Sequence, residues 1–262
     1  MHFTKYNGLG NDFVFLDGQT AQNVVDPAAL ARRLCNRHTG IGADGLVLLL
    51  PSQQANVRMR IMNSDGSEAE MCGNASRCVA LHLAQGEKIA SSHFTLETLA
   101  GLIDTEIVDA KKNLVRVNMG IPKQVVPLTV QVKKKSFEGT SVSMGNPHFV
   151  IFVEDAQTFD VSYWGPLLET HEAFPHKTNV EFVQVLDQKT VRMRVWERGA
   201  GITRACGTGS CATAVACMVK NLTQKQITVK LDGGELQIAW PHQQEIFMTG
   251  PAQKVFEGDI DL

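Results

Sequence analysis

The chain has 262 residues, of which 44% are hydrophobic and 20% charged, with a formal net charge of −2 at pH 7. This composition is typical of a globular protein, and the near-neutral charge argues against a nucleic-acid partner. No apolar run approaches the ~18 residues that span a bilayer, so we expect no membrane association and a cytoplasmic location. Thiols stay reduced there, and the six cysteines lack zinc-site spacings, so neither a disulfide framework nor a metal site is expected.

The first half of the chain begins with two strand-like runs around a glycine-rich turn, residues 7–12. Asp26 is a good N-cap and Pro27 a good first helical residue, which predicts a helix that passes through Cys35 and stops near Gly40. Further strands are predicted over residues 45–50, 57–61, 94–98, 102–108 and 114–117. A second helix is predicted over residues 74–84, closed near Gly86.

The second half repeats this order of strands, a loop and a central helix. Strands are predicted over residues 126–132, 141–153, 180–185 and 191–196, a helix over 207–220, and a hairpin over 227–240. The break near residue 120 predicts an N-terminal lobe of residues 1–118 with a C-terminal strand, 251–262, and a C-terminal lobe of residues 119–250. The fold class is therefore α+β, with two similar lobes that each wrap a curved mixed sheet around a helix.

Two segments centred on Cys-Gly pairs resemble each other. Cys72 precedes Gly73 and Cys206 precedes Gly207, and 206 − 72 = 134 positions separate the cysteines, close to half the chain. Each pair opens a predicted helix, where free backbone N–H groups and the helix dipole bind anions and lower a thiol pKa. Two activated thiols on opposite sides of one carbon suit the removal of a proton from one face and its return to the other.

Four further residues extend this hypothesis. Asn74 and Thr208 contribute further N–H groups at the two helix starts, where a substrate carboxylate is expected to bind. His148, after an Asn-Pro turn, and Glu197, before the second segment, are candidates to tune the thiols. Residues 207–212 also fit a dinucleotide-binding pattern, but too few residues follow to complete a Rossmann sheet.

Several blocks of sequence resemble the diaminopimelate epimerase family. These blocks are residues 8–13, 37–45, 63–68, 71–74, 144–148, 178–182, 196–201 and 205–209. The resemblance implies two pseudo-symmetric domains, each a mixed β-barrel around a central helix, and usually a homodimer. It implies a cofactor-independent isomerase that interconverts LL- and meso-diaminopimelate, a step in lysine and cell-wall precursor biosynthesis.

The resemblance also implies a role for each site residue. Cys72 and Cys206 are the acid–base pair, and His148 and Glu197 poise them. The remaining residues bind substrate: Asn11 and Glu197 near the reacting amine, the N–H groups of Gly73, Asn74, Gly207 and Thr208 at the reacting carboxylate, and Asn63, Asn146, Asn179 and Arg198 at the distal amino-acid head. A guanidinium suits this last task because it grips a carboxylate with two parallel hydrogen bonds.

The sequence departs from the family pattern at four positions, and alternatives remain open. The departures are Ala75, Ile202, Gly45 and Phe256, the last at a dimer contact of some members. A related racemase of another amino acid, such as histidine, is one alternative, although Arg198 would then lack a distal carboxylate. A non-catalytic binder of anions or nucleotides is another, and no lysine in either Cys-Gly segment supports a pyridoxal-phosphate racemase.

Overall fold

The computed structural model describes residues 1–86 and 91–261, and the chain divides into two compact units. The first unit comprises residues 1–117 and 250–262, and the second comprises residues 118–249. Residues 87–90 and 262, which fall in the predicted N-terminal lobe, lie outside the described residues. Whether each lobe is an independent domain with the boundaries given above stays a prediction.

The elements of the first unit surround the first Cys-Gly segment. Its helices are α1 (Gly18–Gln22), α2 (Pro27–Leu34) and α3 (Gly73–Gln85). Its strands are β1 (His2–Gly8), β2 (Asn11–Leu16), β3 (Gly45–Leu50), β4 (Val57–Asn63), β5 (Glu68–Ala69), β6 (His93–Thr98), β7 (Gly101–Asp109), β8 (Leu114–Asn118) and β18 (Gln253–Asp259).

The elements of the second unit surround the second segment. Its helices are α4 (Val161–Glu169) and α5 (Gly207–Val219). Its strands are β9 (Lys123–Val132), β10 (Lys135–Ser143), β11 (Pro147–Phe152), β12 (Asn179–Asp187), β13 (Thr190–Glu197), β14 (Gly201–Ile202), β15 (Gln226–Leu231), β16 (Gly234–Ala239) and β17 (Phe247–Pro251). No helix in the described part of either unit is long and apolar enough to cross a bilayer.

The two units share one pattern of strand pairing. In the first, the strands run in the order β18, β1, β2, β3, β4, β6, β7, β8, and the pairs β2–β3 and β4–β6 are parallel. In the second, the order is β9 to β13 and then β15 to β17, and the pairs β11–β12 and β13–β15 are parallel. The remaining pairs in both series are antiparallel. This correspondence confirms the predicted mixed sheets and duplicated order, while closure of each sheet into a barrel stays a prediction.

Both faces of the first unit's central strands are buried, which explains their continuous apolar runs. Phe13 and Phe15 of β2 lie in a cluster with the buried side of α3. Val14 and Leu16 alternate with them and pack in a second cluster, which contains Ala31 and Leu34 of α2. The sheet therefore holds α3 on one face and α2 on the other.

In the second unit the same alternation separates an apolar face from a polar one. Phe149 of β11 and Phe182 of β12 pack in a cluster that includes Val161 and Leu168 of α4. Helix α5, of which most residues are buried, packs against strands β10 to β13, β15 and β16. The parallel register pairs His148 with Asn179 and aligns Val150 with residue 181, so the polar side chains at 148 and 181 lie on the face away from the α4 cluster.

Some predicted boundaries were wrong. Helix α2 begins at Pro27 as predicted, with the Asp26 carboxylate accepting a hydrogen bond from the Ala29 N–H, but it ends at Leu34. Cys35 is therefore its C-cap and not an interior residue. The Leu34 carbonyl accepts hydrogen bonds from the N–H groups of Ile41 and Gly42 in the following turn, so the helix ends at Leu34 and does not continue to Gly40.

Other elements were missed. Helix α4 was not predicted because Pro166 lies in its interior, where proline ordinarily breaks a helix. Strand β10 begins at Lys135 and not at residue 141, because its first half alternates with polar side chains that resemble a loop. The predicted run 141–153 is two strands, β10 and β11, separated by a turn at Gly145, whose φ is +101°.

Candidate active site

The first Cys-Gly segment forms the start of α3 in the first unit. Cys72 is the N-cap of this helix, with an extended backbone (φ −143°, ψ 114°), and its carbonyl accepts hydrogen bonds from the Ser76 N–H and hydroxyl at 2.9 and 3.0 Å. Gly73 and Asn74 follow as the first buried helical residues. The first turn of a helix presents N–H groups without intrahelical acceptors and the positive end of the dipole, an arrangement suited to a carboxylate.

Asn11, the first residue of β2, contacts this helix start. Its carbonyl Oδ1 lies 3.8 Å from the Cys72 Sγ and accepts a hydrogen bond from the Asn74 amide at 3.1 Å. Its own amide donates to the Asp44 Oδ2 at 2.8 Å, which fixes the side chain with its carbonyl towards the thiol. The structure thus brings together three residues that the sequence placed in one site.

An ionic network that the sequence did not assign stands behind Asn11. The Arg37 guanidinium binds Asp12 at 2.7 Å and Asp44 at 2.9 Å, and the Lys5 ammonium lies 2.8 Å from Asp12. Burial raises the pKa of the Asp12 carboxyl, but the hydrogen bonds from Arg37 and Lys5 outweigh it and lower that pKa. Asp12 therefore stays ionised, and its ion pairs with Arg37 and Lys5 hold the β2 start in place.

Asn63 pairs across the strands with Gly45, next to Asp44 in the chain. It is the last residue of β4, and its amide donates to the Ser67 hydroxyl at 2.9 Å. Its side-chain hydrogen bond is thus to the loop that follows β4, and the predicted role at the distal head of a substrate stays a prediction.

The second Cys-Gly segment forms the start of α5 in the second unit. Cys206 is the N-cap, and its Sγ accepts a hydrogen bond from the Gly209 N–H at 3.3 Å and lies 3.6 Å from the Thr208 hydroxyl. Only 5% of Cys206 is exposed. Gly207 and Thr208 follow as the first two helical residues, so the arrangement repeats that of Cys72.

The predicted lowering of the Cys206 pKa was wrong for this state of the protein. Burial raises the pKa of the thiol well above its ordinary value, and the Glu197 and Glu181 carboxylates raise it further. The hydrogen bonds from Thr208 and Gly209 lower it and are outweighed. Desolvation of the sulfur and two nearby carboxylates therefore exceed the effect of the helix start.

Glu197 is the carboxyl group most directly coupled to Cys206. Burial raises its pKa, whereas hydrogen bonds with Thr203 and Cys206 lower it and are outweighed. The Thr203 hydroxyl donates to its Oε1. A buried carboxyl with a raised pKa beside a thiol with a raised pKa is an arrangement in which both groups favour their protonated forms.

His148 is connected to Cys206 through other side chains. Its Nδ1 is 2.7 Å from the Glu181 Oε1, and its Nε2 is 3.0 Å from the Asn146 Oδ1. Asn146 in turn donates to the Thr208 hydroxyl at 3.3 Å, so His148 reaches Cys206 through two intervening side chains. Both His148 and Glu181 have fully buried side chains.

Asn179 contacts the loop that carries Arg198. The Asn179 Oδ1 accepts from the Arg198 backbone N–H at 3.0 Å, and its amide donates to the Pro147 carbonyl at 2.8 Å. The Arg198 guanidinium donates to the His176 carbonyl at 3.1 Å. Asn179 therefore joins the loop that carries Arg198 to the β11 start.

Helix α4 supports the same loop through Glu169. This carboxylate accepts hydrogen bonds from the Trp196 indole N–H at 2.7 Å and from the Gly199 N–H at 3.1 Å. Burial raises its pKa, but these hydrogen bonds and Lys177 outweigh it and keep the pKa low. An ionised Glu169 thus binds the residues on either side of the Glu197–Arg198 pair.

Comparison with known proteins gives a family for this arrangement. The model of the diaminopimelate epimerase family matches residues 3–125 and 140–255. A protein of Desulforudis audaxviator named diaminopimelate epimerase is 50% identical over 273 residues, with 98% of each chain covered. Another with this name, from Carboxydothermus hydrogenoformans, is 49% identical over 276 residues, with both chains fully covered.

The chain belongs to the diaminopimelate epimerase family. It is accordingly an enzyme of this type, which confirms the resemblance inferred from the sequence blocks. A solved structure described as a probable proline racemase from Agrobacterium radiobacter K84 has a TM-score of 0.75 and 16% identity, with 100% of this chain and 93% of that chain covered. At this identity the likeness shows the fold alone, and it confirms the predicted two-domain α+β fold class.

Family membership and geometry together show what the sequence analysis missed. Glu181 and Asp44 lie inside blocks that carried the family resemblance, but they were given no role there. Glu181 follows Asn179 by two residues on a strand, and this spacing was a usable signal, because alternate residues of a strand share a face. No such signal pointed to Glu169, because Pro166 prevented recognition of the helix that carries it.

Proposed function

We propose that the protein interconverts LL-diaminopimelate and meso-diaminopimelate by proton transfer between the substrate α-carbon and two cysteines, Cys72 and Cys206. The observation that carries the proposal is the repeated geometry: each cysteine is the N-cap of a 13-residue buried helix that starts at the following glycine. Membership of the diaminopimelate epimerase family supplies the substrate. The reaction places the protein in lysine and cell-wall precursor biosynthesis.

The proposed step balances as follows. A thiolate takes the α-proton and becomes a thiol, and the electron pair of the C–H bond passes into the carboxylate as a planar carbanion. The opposite thiol then gives its proton to the other face and becomes a thiolate. The N–H groups of Gly73, Asn74, Gly207 and Thr208 stabilise the developing negative charge at the carboxylate.

The tuning of the thiols supports this mechanism in the second unit. Cys206 has a raised pKa beside Glu197, whose pKa is also raised. The resting Cys206 is then a thiol, which assigns it the proton-donating role in the resting enzyme. Cys72, whose S–H lies 3.8 Å from the accepting Asn11 carbonyl oxygen, must first lose that proton to take the complementary role of base.

The remaining predicted residues bind the ends of the substrate. Asn11 and Glu197 lie near the reacting amine, and Asn63, Asn146, Asn179 and Arg198 bind the distal amino-acid head. A fixed distal head keeps the α-carbon still while the proton changes faces. The hydrogen bond between Asn179 and the Arg198 backbone supports a common role for these two residues.

No cofactor is required by the proposed chemistry, because the thiols themselves exchange the proton. We further propose a cytoplasmic location, which suits reduced thiols, and a homodimer. The exposed Phe256 of β18 stands where some members of the family place a dimer contact, and 46% of it is accessible in the single chain.

The main alternative is a racemase of another amino acid, such as histidine. Arg198 distinguishes the two, because a substrate without a distal carboxylate would leave the guanidinium without an anion to bind. A non-catalytic anion binder remains a second alternative, and it predicts no exchange of any α-hydrogen.

The test follows α-hydrogen exchange in deuterated water. Wild-type protein incubated with LL-diaminopimelate is expected to incorporate solvent deuterium at one α-carbon, and Cys72→Ala and Cys206→Ala are each expected to lose turnover by at least about a thousandfold, as loss of an essential acid or base predicts. Cys217→Ala is the matched control, because this buried cysteine lies in α5 outside the site. Near-normal turnover in either active-site variant contradicts the mechanism, and exchange with histidine but not diaminopimelate favours the alternative.

A further inference from the structure

Thr203 contacts a site residue of the second unit and has no role in the mechanism proposed above. Its hydroxyl donates a hydrogen bond to the Glu197 Oε1. Glu197 is also hydrogen-bonded to Cys206, so the carboxyl group joins the hydroxyl to the thiol. Thr203 lies between two blocks, residues 196–201 and 205–209, that carried the family resemblance, and neither block points to it.

The backbone is held on both sides of Thr203. Ile202, the residue before it, pairs with Trp196 across the hairpin of β13 and β14. The carbonyl of Arg204, the residue after it, accepts a hydrogen bond from the Gly233 N–H at 2.8 Å. These two contacts fix the Thr203 backbone beside the end of β13. The hydroxyl is therefore delivered to the carboxyl group by the fold and does not depend on a free loop.

The duplicated order of the two units gives an internal comparison. The offset that relates the two cysteines also relates Glu197 to Asn63. It relates Thr203 to Ala69, and the pairings β4–β5 and β13–β14 have the same register under this offset. In the first unit an amide thus replaces the carboxyl group, and a methyl group replaces the hydroxyl. The Asn63 amide donates to the Ser67 hydroxyl instead, at 2.9 Å. The Thr203 hydroxyl therefore accompanies the carboxyl group of Glu197 and is not a requirement of the shared fold.

We infer that Thr203 is a positioning residue, whose hydroxyl holds the Glu197 carboxyl group in the orientation that contacts Cys206. The inference deepens the proposed function and rests on the role of Cys206 given there. The terminal torsion of a glutamate side chain has no sharp rotamer preference, so a carboxyl group without this hydrogen bond can turn away from the thiol. Thr203 acts on the reaction only through Glu197.

The charged and titratable groups that face Glu197 show what the hydroxyl does to it. Burial raises the pKa of the Glu197 carboxyl, and Glu181 of β12 raises it further. Three groups lower this pKa: the Thr203 hydroxyl, the Cys206 thiol at the start of α5, and His148 of β11. The hydrogen bond from Thr203 has the largest effect of the three. Removal of the hydroxyl is therefore expected to raise the pKa of Glu197 further.

The test compares Thr203→Val, which keeps the shape of the side chain without the hydroxyl, with Thr203→Ser, which keeps the hydroxyl. In protein with 13C-labelled glutamate carboxyls, the Glu197 signal is assigned with a Glu197→Gln variant and followed as the pH is changed. We expect the pKa of Glu197 to be about one pH unit higher in Thr203→Val than in the wild type, because one hydrogen bond to a charged group is lost. We expect kcat for diaminopimelate to be about tenfold lower, with KM within about twofold.

Serine at this position is expected to restore both the pKa and kcat to within about twofold of the wild-type behaviour, since it donates the same hydrogen bond. Thr213→Val is the matched control, because the buried Thr213 hydroxyl contacts the sulfur of Met193, also on β13, at 3.1 Å. This control is expected to leave the pKa of Glu197 and kcat unchanged. An unchanged pKa or a wild-type kcat in Thr203→Val overturns the inference, and so does an equal loss of kcat in Thr203→Ser, because the hydroxyl is then not the group that matters.

The 13C titration does not depend on turnover. A wild-type protein that fails to exchange diaminopimelate refutes the proposed function, while its Glu197 signal still shows whether Thr203 acts on the carboxyl group. A wild-type protein that exchanges substrate, but whose Glu197 titrates at the same pH in Thr203→Val, refutes the inference alone.

Discussion

At the scale of single residues, the candidate site depends on side chains that orient other side chains. Asn11 presents its carbonyl to Cys72 because its amide is held by Asp44 at 2.8 Å. Without that acceptor the amide can rotate by half a turn and present N–H hydrogens to the sulfur instead.

This dependence predicts a selective effect for Asp44→Asn. The new amide no longer favours one orientation of Asn11, and we expect kcat for diaminopimelate to fall by about tenfold, which corresponds to about 1.4 kcal/mol, or one hydrogen bond to a charged group. Steady-state kinetics measure this change. Glu97→Gln is the control, because Glu97 also contacts an arginine of the first unit, Arg58, but lies outside the site, and an equal loss in both variants contradicts a specific role.

At the scale of elements, helix α4 supports the loop that carries Arg198. Gly165 of this helix packs so closely on Trp196 that an added Cβ would lie 2.5 Å from the indole. Glu169, at the helix end, binds the Trp196 indole and the Gly199 N–H. These contacts fix the chain on both sides of Arg198.

Replacement of Glu169 by glutamine is therefore expected to affect binding more than turnover. The amide can accept only one of the two hydrogen bonds and faces the other donor with its own hydrogens, so the loop loosens. We expect KM for diaminopimelate to rise by about tenfold, or about 1.4 kcal/mol, with kcat within threefold. Glu172→Gln, an exposed neighbour on the same segment, should match the wild type, and a fall in kcat alone would argue against this role.

The elements also show how far the sequence could be interpreted. Both Cys-Gly helices were predicted almost to their ends, because small apolar residues and a clear start signal lie within one segment. The end of α2 was not predicted, because it depends on hydrogen bonds to the Leu34 carbonyl from the N–H groups of Ile41 and Gly42, which lie in a later turn. Helix α4 was missed since its packing on Trp196 overrides the local effect of Pro166.

The same limit applies to the site. Residues next to a recognisable motif, such as Asn74 and Thr208, could be assigned to it from the sequence. The raised pKa of Cys206 could not, because it depends on burial and on Glu181 and Glu197, which other strands bring to the helix start. Local signals predicted an activated thiolate, and the tertiary environment reverses that prediction.

At the scale of the whole molecule, the buried thiols link stability to pH. Burial raises the pKa of Cys78 and of Cys217 to about 12, and that of Cys206 well above its ordinary value. An unfolded cysteine has a pKa of about 8.5, so above that pH the unfolded chain loses protons that the folded chain keeps. Stability is then full below about pH 8.5 and falls as the pH rises towards the folded values.

Each such thiol contributes a slope of up to about 1.4 kcal/mol per pH unit. The double variant Cys78→Ala, Cys217→Ala is expected to be less stable than the wild type at pH 7, because it leaves cavities, but to lose less stability between pH 8 and pH 10. Urea unfolding at both pH values measures the difference. Parallel declines in the two proteins would show that other groups cause the alkaline loss.

The central claim is that two different groups, one for each face of the α-carbon, exchange the proton. The most direct measurement is the deuterium content of substrate and product after a few per cent conversion of LL-diaminopimelate in deuterated water. With a thiolate that takes the proton and a separate, deuterated thiol that returns one, the meso product carries one deuterium and the recovered LL substrate carries almost none. Deuterium in both at equal levels, or a product that retains the original proton, would contradict the account.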